Sequence, residues 1–303
     1  GGTPDGEPMR RKTYGKESAM QSVKEPINLL VTFDRNYVPY FNVMLSSLLY
    51  SNPEEYFNIY ILHTTLEDRD LKESRKLLGE RGEIFPVTVR EDSLESAPTT
   101  DRYPKEIYYR IFAAKYLPEN IDRVLYLDPD LVVNKSLAEL YGMPMGTAFF
   151  AAASHIGNLL HFINELRLDI DSEMPYINSG VMLINLHRLR MEQKSSDVFD
   201  YIESHRSKLI LPDQDIISGL YGDRIIPLDS YKYNMTERLF AFHIRIGDRM
   251  NIDYVRRNAV IIHYCGRNKP WKSGYVGKLN VFYDETVQRM REQGYRTPEK
   301  TAE

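Results

Sequence analysis

Asp128 and Asp130 follow the apolar run Val124-Leu125-Tyr126-Leu127, with Pro129 between them. The run reads as a short buried strand, and open α/β sheets bind ligands beyond the carboxyl ends of their strands. In extended backbone, residues i and i+2 point to the same side. Pro129 disfavours helical backbone at Asp128, so the two carboxylates are expected to converge. Converging carboxylates repel unless one is protonated or a cation lies between them. A hard divalent ion, Mg²⁺ or Mn²⁺, bridged to substrate phosphate oxygens resolves that conflict. A solvated turn is the plain alternative, because Asp-Pro-Asp alone is a weak signal.

Other segments offer partners for such a centre. Asp34, Asn36 and Tyr37 follow the first apolar run. They are either caps of a helix start or a base-recognition set, in which a carboxylate and an amide pair with a uracil while Tyr37 stacks on it. Arg110 would ordinarily be a solvated helix residue, yet its fork of donors suits a neighbouring phosphate. Asn178 opens the polar end of an apolar stretch, where it either makes a turn or donates to a sugar hydroxyl. In Leu211-Pro212-Asp213-Gln214-Asp215, Asp213 reads as an N-cap and Asp215 suits the helix dipole, which leaves Gln214 without a capping duty. His263 ends a strand and could supply a nitrogen to the same metal as the two aspartates. Beyond it, Gly266 to Lys278 holds Arg267, Lys269, Lys272 and Lys278 and no acidic residue, and Gly266 with Lys269 suits close approach to a diphosphate.

These residues need a scaffold that brings strand ends together. Strands are predicted over Ile27–Phe33, Phe57–Leu62, Glu83–Val89, Val124–Leu127, Thr147–Ala153, Gly180–Leu186 and Ala259–His263. Helices are predicted over about Pro39–Tyr50, Leu66–Leu78, Ile107–Leu117, His187–His205, Asp213–Tyr221 and Val281–Gln293. Strands alternating with helices predict an α/β fold whose mostly parallel sheet is covered on both faces, with a less regular region after Asp229. Residues 1–25 read as a tag-like or disordered lead-in, 26–275 as one domain, and 276–303 as a terminal helix and tail.

The chain has 303 residues, a net charge of −4 and one cysteine, Cys265. With a sequence pI of about 6.0, nucleic acid is not expected as a partner. A single cysteine excludes an intrachain disulfide and a cysteine-based zinc site. The polar N-terminus has no apolar signal region and no 18-residue apolar run appears, so a cytoplasmic protein is expected. No G-x-x-x-x-G-K-[ST] loop is present, which removes P-loop enzymes.

Together, FDRNY, YYR, LYLDPD, NSGVMLINL, DQD and HYCGRNKPW resemble, in order and spacing, glycosyltransferase family 8. This family comprises nucleotide-sugar transferases of GT-A fold, including bacterial galactosyl- and glucosyltransferases of surface polysaccharide and, more distantly, glycogenin. The resemblance spans about Ile27 to Trp271. It implies a GT-A nucleotide-binding sheet with an irregular C-terminal elaboration. It implies that Asp34, Asn36 and Tyr37 hold uridine, and that Asp128, Asp130 and His263 hold Mn²⁺ (or Mg²⁺) on the diphosphate. Gly266 and Lys269 would contact the phosphates, while Arg110, Asn178, Asp213 and Gln214 would surround the donor sugar. The implied reaction is retaining transfer of glucose or galactose from a UDP-sugar to a saccharide or glycolipid. Arg267, Lys269, Lys272 and Lys278 could also give peripheral contact at the inner membrane face, although phosphate binding already accounts for them.

Two departures stand out. Ser154-His155 occupies a stretch where many members carry an acidic residue, so the glucose or galactose choice is expected to be read there. Ser179 replaces a commoner alanine and is expected to be neutral. Acceptor contacts are expected from Asn158–Glu173 and Tyr231–Tyr254. Two other classes fit the residues less fully: a metal-dependent nucleotidyltransferase, which triphosphates would protect thermally, and a catalytically silent carbohydrate- or nucleotide-binding relative, which would not bind Mn²⁺–UDP.

Overall fold

The computed structural model describes residues 25–90, 106–154, 168, 174–246 and 250–302. Seven strands form one sheet: β1 (Ile27–Thr32), β2 (Phe57–His63), β3 (Gly82–Thr88), β4 (Arg123–Leu127), β6 (Phe150–Ser154), β7 (Ile177–Asn185) and β8 (Ile225–Leu228), in the order β3-β2-β1-β4-β7-β6-β8. β3, β2, β1 and β4 run parallel, β7 is antiparallel to both of its neighbours, and β8 is parallel to β6. β5 (Leu131–Val133) and β9 (Ile261–His263) form a separate antiparallel pair.

The pleat explains why these strands read as unbroken apolar runs. Leu125, Leu127, Val181 and Leu183 pack into one core, while Val124, Tyr126, Met182 and Ile184 pack into the other, so both sheet faces are covered. A third core joins Val132 and Ile262 of the small sheet to Phe282, Tyr283, Val287 and Met290 of the helix Asn280–Glu292.

Two predicted helices are broken, each by a side chain drawn inward. The segment Ile107–Leu117 divides into Glu106–Tyr109 and Ala113–Tyr116, with Ile111 and Phe112 both donating to the Tyr108 carbonyl (3.1 Å). Arg110 sits in that turn. The segment His187–His205 divides into Leu186–Glu192 and Ser195–His205, where Gln193 Nε2 reaches the Ile111 carbonyl (3.0 Å) and the Tyr221 hydroxyl (3.2 Å). The helix predicted from Leu66 begins only at Lys72. Its first turns are held open because Leu66 donates to His63 Nδ1 (3.0 Å) and Glu67 to Asp70 (2.9 Å). β5 and β8 are too short to stand out from pattern alone. β7 begins ahead of the predicted Gly180, so Asn178 and Ser179 are strand residues and not a turn.

Burial of His63 pushes its imidazole below the ordinary value of 6.5, and its Nδ1 must stay unprotonated to accept the Leu66 N–H. The unfolded chain therefore takes up this proton first. Stability is full above about pH 6.5 and falls as pH drops through the folded-state value. Urea midpoints measured from pH 7.5 down to 5 are expected to fall less in His63→Asn, which keeps an acceptor, than in the wild type. An unchanged slope would assign the loss to other groups.

Candidate active site

The site lies at the carboxyl edge of β1 and β4. Asp128 leaves β4 by donating its N–H to the Gly180 carbonyl (2.8 Å), which fixes it beside β7. The chain bends at Pro129 and enters β5, where Leu131 pairs with His263 of β9 and the Tyr264 N–H donates to the Asp130 carbonyl (3.0 Å). The aspartates thus converge across a bend between two sheets, not along one extended strand as predicted. The small sheet places His263 against them.

Each aspartate has one oxygen tied to protein and the other turned to His263. Asp128 Oδ1 accepts from the Tyr126 hydroxyl (2.6 Å) and lies 3.3 Å from the Arg110 guanidinium, while Oδ2 lies 3.6 Å from His263 Nε2. Asp130 Oδ2 accepts from Lys269 Nζ, while Oδ1 lies 3.2 Å from His263 Nε2. Burial works against the Asp130 carboxylate, but the Lys269 ammonium beside it favours the charged form, and the carboxyl is held below the ordinary range. Burial opposes the charge of Lys269, but Asp130 outweighs it and holds the ammonium above its usual value.

The residues fit a divalent cation. Asp130 Oδ1 and His263 Nε2 are buried with no hydrogen-bond partner, an arrangement that is costly unless a ligand takes both. One ligand atom from each of Asp128, Asp130 and His263 falls within 4.8 Å of the others. A Cβ on Gly180 would stand 2.2 Å from His263 Cε1 and 2.6 Å from Asp128 Oδ2, so only glycine leaves the cradle open. Two carboxylates and an imidazole suit Mn²⁺ or Mg²⁺ better than a soft metal.

Asn234 was not singled out in the sequence, and no motif marks it. Its Oδ1 accepts from His263 Nδ1 (2.8 Å), with both residues buried. An amide oxygen only accepts, so the proton sits on Nδ1 and the Nε2 lone pair faces the aspartates. Asn234→Ala is expected to weaken Mn²⁺ binding about 10–100-fold by calorimetry, while Asn234→Asp, which keeps the acceptor, retains it. Equal loss in both would refute the tautomer argument.

A second layer bridges to β7 and the helix Pro212–Tyr221. Arg110 is only 11% exposed at its side chain, not solvated, and lies 3.2 Å from Asp213 Oδ2 as well as beside Asp128. Burial alone would lower its basicity, but the charges of Asp128 and Asp213 raise it. Asp213 is not the helix N-cap; that position is Leu211. The carboxylate of Asp213 instead accepts from Ser179 Oγ (2.5 Å), so Ser179 is engaged in the site. Asp215 does the capping, accepting from the Ile210 (2.6 Å) and Leu211 (3.0 Å) N–H groups and from the Tyr176 hydroxyl (2.8 Å). Gln214 Oε1 accepts from the Ser179 N–H (3.3 Å), and Asn178 Oδ1 from the Gly180 N–H (3.0 Å).

The outer residues fall around this centre. Asp34 caps a short 3-10 turn through Oδ1, accepting from the Asn36 (2.9 Å) and Tyr37 (3.3 Å) N–H groups, while its Oδ2 accepts from Asn36 Nδ2 (3.3 Å) at the exposed edge. Tyr37 packs edge-on against Tyr40 and Trp271. Burial pushes the Tyr37 phenol up. Gly266 adopts φ +81°, a conformation that favours glycine. Ser154 ends β6 and its carbonyl accepts from Ser230 Oγ (2.9 Å). His155 and, apart from Leu168 and residues beyond 173, the loop expected at Asn158–Glu173 lie outside the described residues.

Residues 28–274 match the family model described as Glycosyl transferase family 8. The chain belongs to glycosyltransferase family 8. Family 8 relatives include a lipopolysaccharide 1,2-glucosyltransferase of Escherichia coli, 28% identical over 82% of this chain and 74% of that protein. A lipopolysaccharide 1,3-galactosyltransferase of Salmonella typhimurium is 24% identical over 87% of this chain and 78% of its own length. The crystal structure of the galactosyltransferase LgtC with donor and acceptor sugar analogues superposes with a TM-score of 0.74, at 21% identity, covering 89% of this chain and all of LgtC. The family 8 assignment makes the chain a glycosyltransferase, and the architecture is the expected GT-A one. Among the described residues, no helix is long and apolar enough to cross a membrane.

Proposed function

We propose that this protein is a metal-dependent, retaining hexosyltransferase. It transfers glucose or galactose from a UDP-sugar to a saccharide or glycolipid acceptor in the synthesis of cell-surface polysaccharide or lipopolysaccharide. One observation carries the reading: Asp128 Oδ2, Asp130 Oδ1 and His263 Nε2 converge on one another beneath Gly180, and the latter two, 3.2 Å apart, have no hydrogen-bond partner. Named relatives that transfer glucose or galactose to lipopolysaccharide support the hexose and the acceptor class.

A bound Mn²⁺ or Mg²⁺ supplies charge neutralisation to the leaving diphosphate. Lys269, held at the rim of the same cluster, adds a fixed positive charge there, and Gly266 lets the backbone approach the phosphates. Asp34 and Asn36 pair with the uracil and Tyr37 packs on it. Arg110, Asn178, Asp213 and Gln214 face the sugar. Asp213 is already engaged by Arg110 and the Ser179 hydroxyl, which suits an orienting acceptor and not a nucleophile. Gln214, an amide, is a poor nucleophile. The acceptor oxygen therefore attacks the anomeric carbon from the face the phosphate leaves. The new C–O bond forms as the old one breaks, and the acceptor proton passes to the departing phosphate oxygen.

Calorimetric titration with UDP, with and without Mn²⁺, tests this reading, followed by hydrolysis assays on a panel of UDP-sugars. Metal-dependent UDP binding with turnover of one hexose donor is the expected result. Absence of both would overturn it, and protection by nucleoside triphosphates instead would favour a nucleotidyltransferase.

A further inference from the structure

The helix Asn280–Glu292 is followed by a segment that folds back on the turn carrying Lys269. Gly294 adopts φ +75°, and its N–H donates to the Arg291 carbonyl (3.0 Å) while the Tyr295 N–H donates to the Met290 carbonyl (2.9 Å). This pair of bonds ends a helix and redirects the chain, and a residue without a Cβ suits the left-handed position. Thr297 Oγ1 then accepts from Arg291 Nε (3.1 Å), and Pro298 disfavours helical backbone at Thr297. The returning chain pairs with Lys272 in a parallel bridge: Thr301 donates its N–H to the Trp271 carbonyl (2.9 Å) and its carbonyl accepts from the Ser273 N–H (3.0 Å). Thr301 is exposed, and both of these bonds are made by its backbone.

The residues held in this way reach the site. Trp271 is buried, stacks on Tyr40 with ring centroids 3.9 Å apart, and meets Tyr37 edge-on at 6.3 Å. Lys269 Nζ lies 5.6 Å from the centre of the Trp271 ring and donates to Asp130. The Lys269 carbonyl accepts from the Lys272 N–H (3.0 Å), which closes the turn over Pro270 and Trp271. Pro298 and Lys300 border one cleft with Trp271 and Tyr283, so the returning segment passes beside the indole. One turn therefore touches both Tyr37, the proposed neighbour of the base, and the cluster proposed to take the diphosphate.

We propose that residues 295–301 form a strap that fixes the Lys269–Trp271 turn, and that Thr301 is a positioning residue that sets the affinity for a nucleoside diphosphate. Without the bridge the turn keeps its inner tie, Lys269 Nζ to the Tyr264 carbonyl (2.8 Å), and loses its outer one. The ordering of Trp271 against Tyr37, and of Lys269 at the cation cluster, then has to be supplied by the ligand as it binds. That cost falls on the ground-state complex and the transition state alike, so KM rises while kcat holds. The effect on affinity rests on the proposed UDP-sugar reading; the hold on the turn does not.

Thr301→Pro removes the donated N–H, Thr301→Ala keeps both backbone bonds, and a chain ending at Tyr295 lacks the bridge altogether. Trp271 is the single tryptophan of the sequence, so its emission reads the turn directly. Without nucleotide, Thr301→Pro and the shortened chain should emit at longer wavelength and quench more readily with acrylamide than the wild type, with far-UV circular dichroism unchanged. In calorimetry with Mn²⁺ both should bind UDP about tenfold more weakly, and the donor KM should rise about tenfold with kcat within about twofold. Thr301→Ala should restore wild-type values throughout. Unchanged emission in both variants, equal UDP affinity despite altered emission, or a loss in kcat at constant KM would overturn the proposal. No UDP binding by the wild type would instead remove the transferase reading, and the strap's role in nucleotide affinity with it.

Discussion

Asp130→Asn is expected to lower metal-dependent transfer by about three orders of magnitude, or about 4 kcal/mol of transition-state stabilisation. The carboxylate does two jobs. Its Oδ1 is an unpartnered ligand atom facing His263, and its Oδ2 neutralises the buried Lys269. An amide loses the charge needed for both. Leaving Lys269 buried without its partner should cost about 3–5 kcal/mol of stability as well. The two losses can be separated with the double variant Asp130→Asn, Lys269→Met. It should recover much of the thermal stability of the single variant while regaining no Mn²⁺ binding. Recovery of metal-dependent turnover in the double variant would show that Asp130 serves Lys269 and not a cation.

Gly180→Ala is expected to abolish Mn²⁺-dependent UDP binding, with at least about a hundredfold loss of turnover, although one methyl group is added outside the chemistry. The added Cβ would lie 2.2 Å from His263 Cε1 and 2.6 Å from Asp128 Oδ2. These neighbours cannot yield cheaply: His263 is held by Asn234, and Asp128 by Tyr126 and Arg110. The steric cost therefore falls on the ligand geometry. β7 is antiparallel-paired on both sides and should stay folded, so far-UV circular dichroism is expected to match the wild type. Wild-type calorimetry for Gly180→Ala would place the cation elsewhere.

The central strands were legible because a strand buried on both faces is a continuous apolar run, as in Ile27–Thr32 and Arg123–Leu127. The breaks near Arg110 and Gln193 were not, because local helical periodicity continues through both. What stops those helices is a distant acceptor or charge: Ile111 and Tyr221 for Gln193, and Asp128 and Asp213 for Arg110. The same holds for capping at Pro212–Tyr221. Position in the sequence favoured Asp213, but Ser179 and Arg110 claim that carboxylate and Asp215 takes over the helix start.

Residue types and order alone determined the α/β class, the family and the identity of the charged groups, since these follow from local pattern and motif. Tertiary structure decided which atom of each group is available. The ladder of β5 with β9 sets His263 against Asp128 and Asp130, Asn234 selects its tautomer, and Gly180 keeps the space between them open. Those three contacts join residues far apart in the chain. Their strength depends on burial and on distances of a few tenths of an ångström, which sequence spacing does not encode.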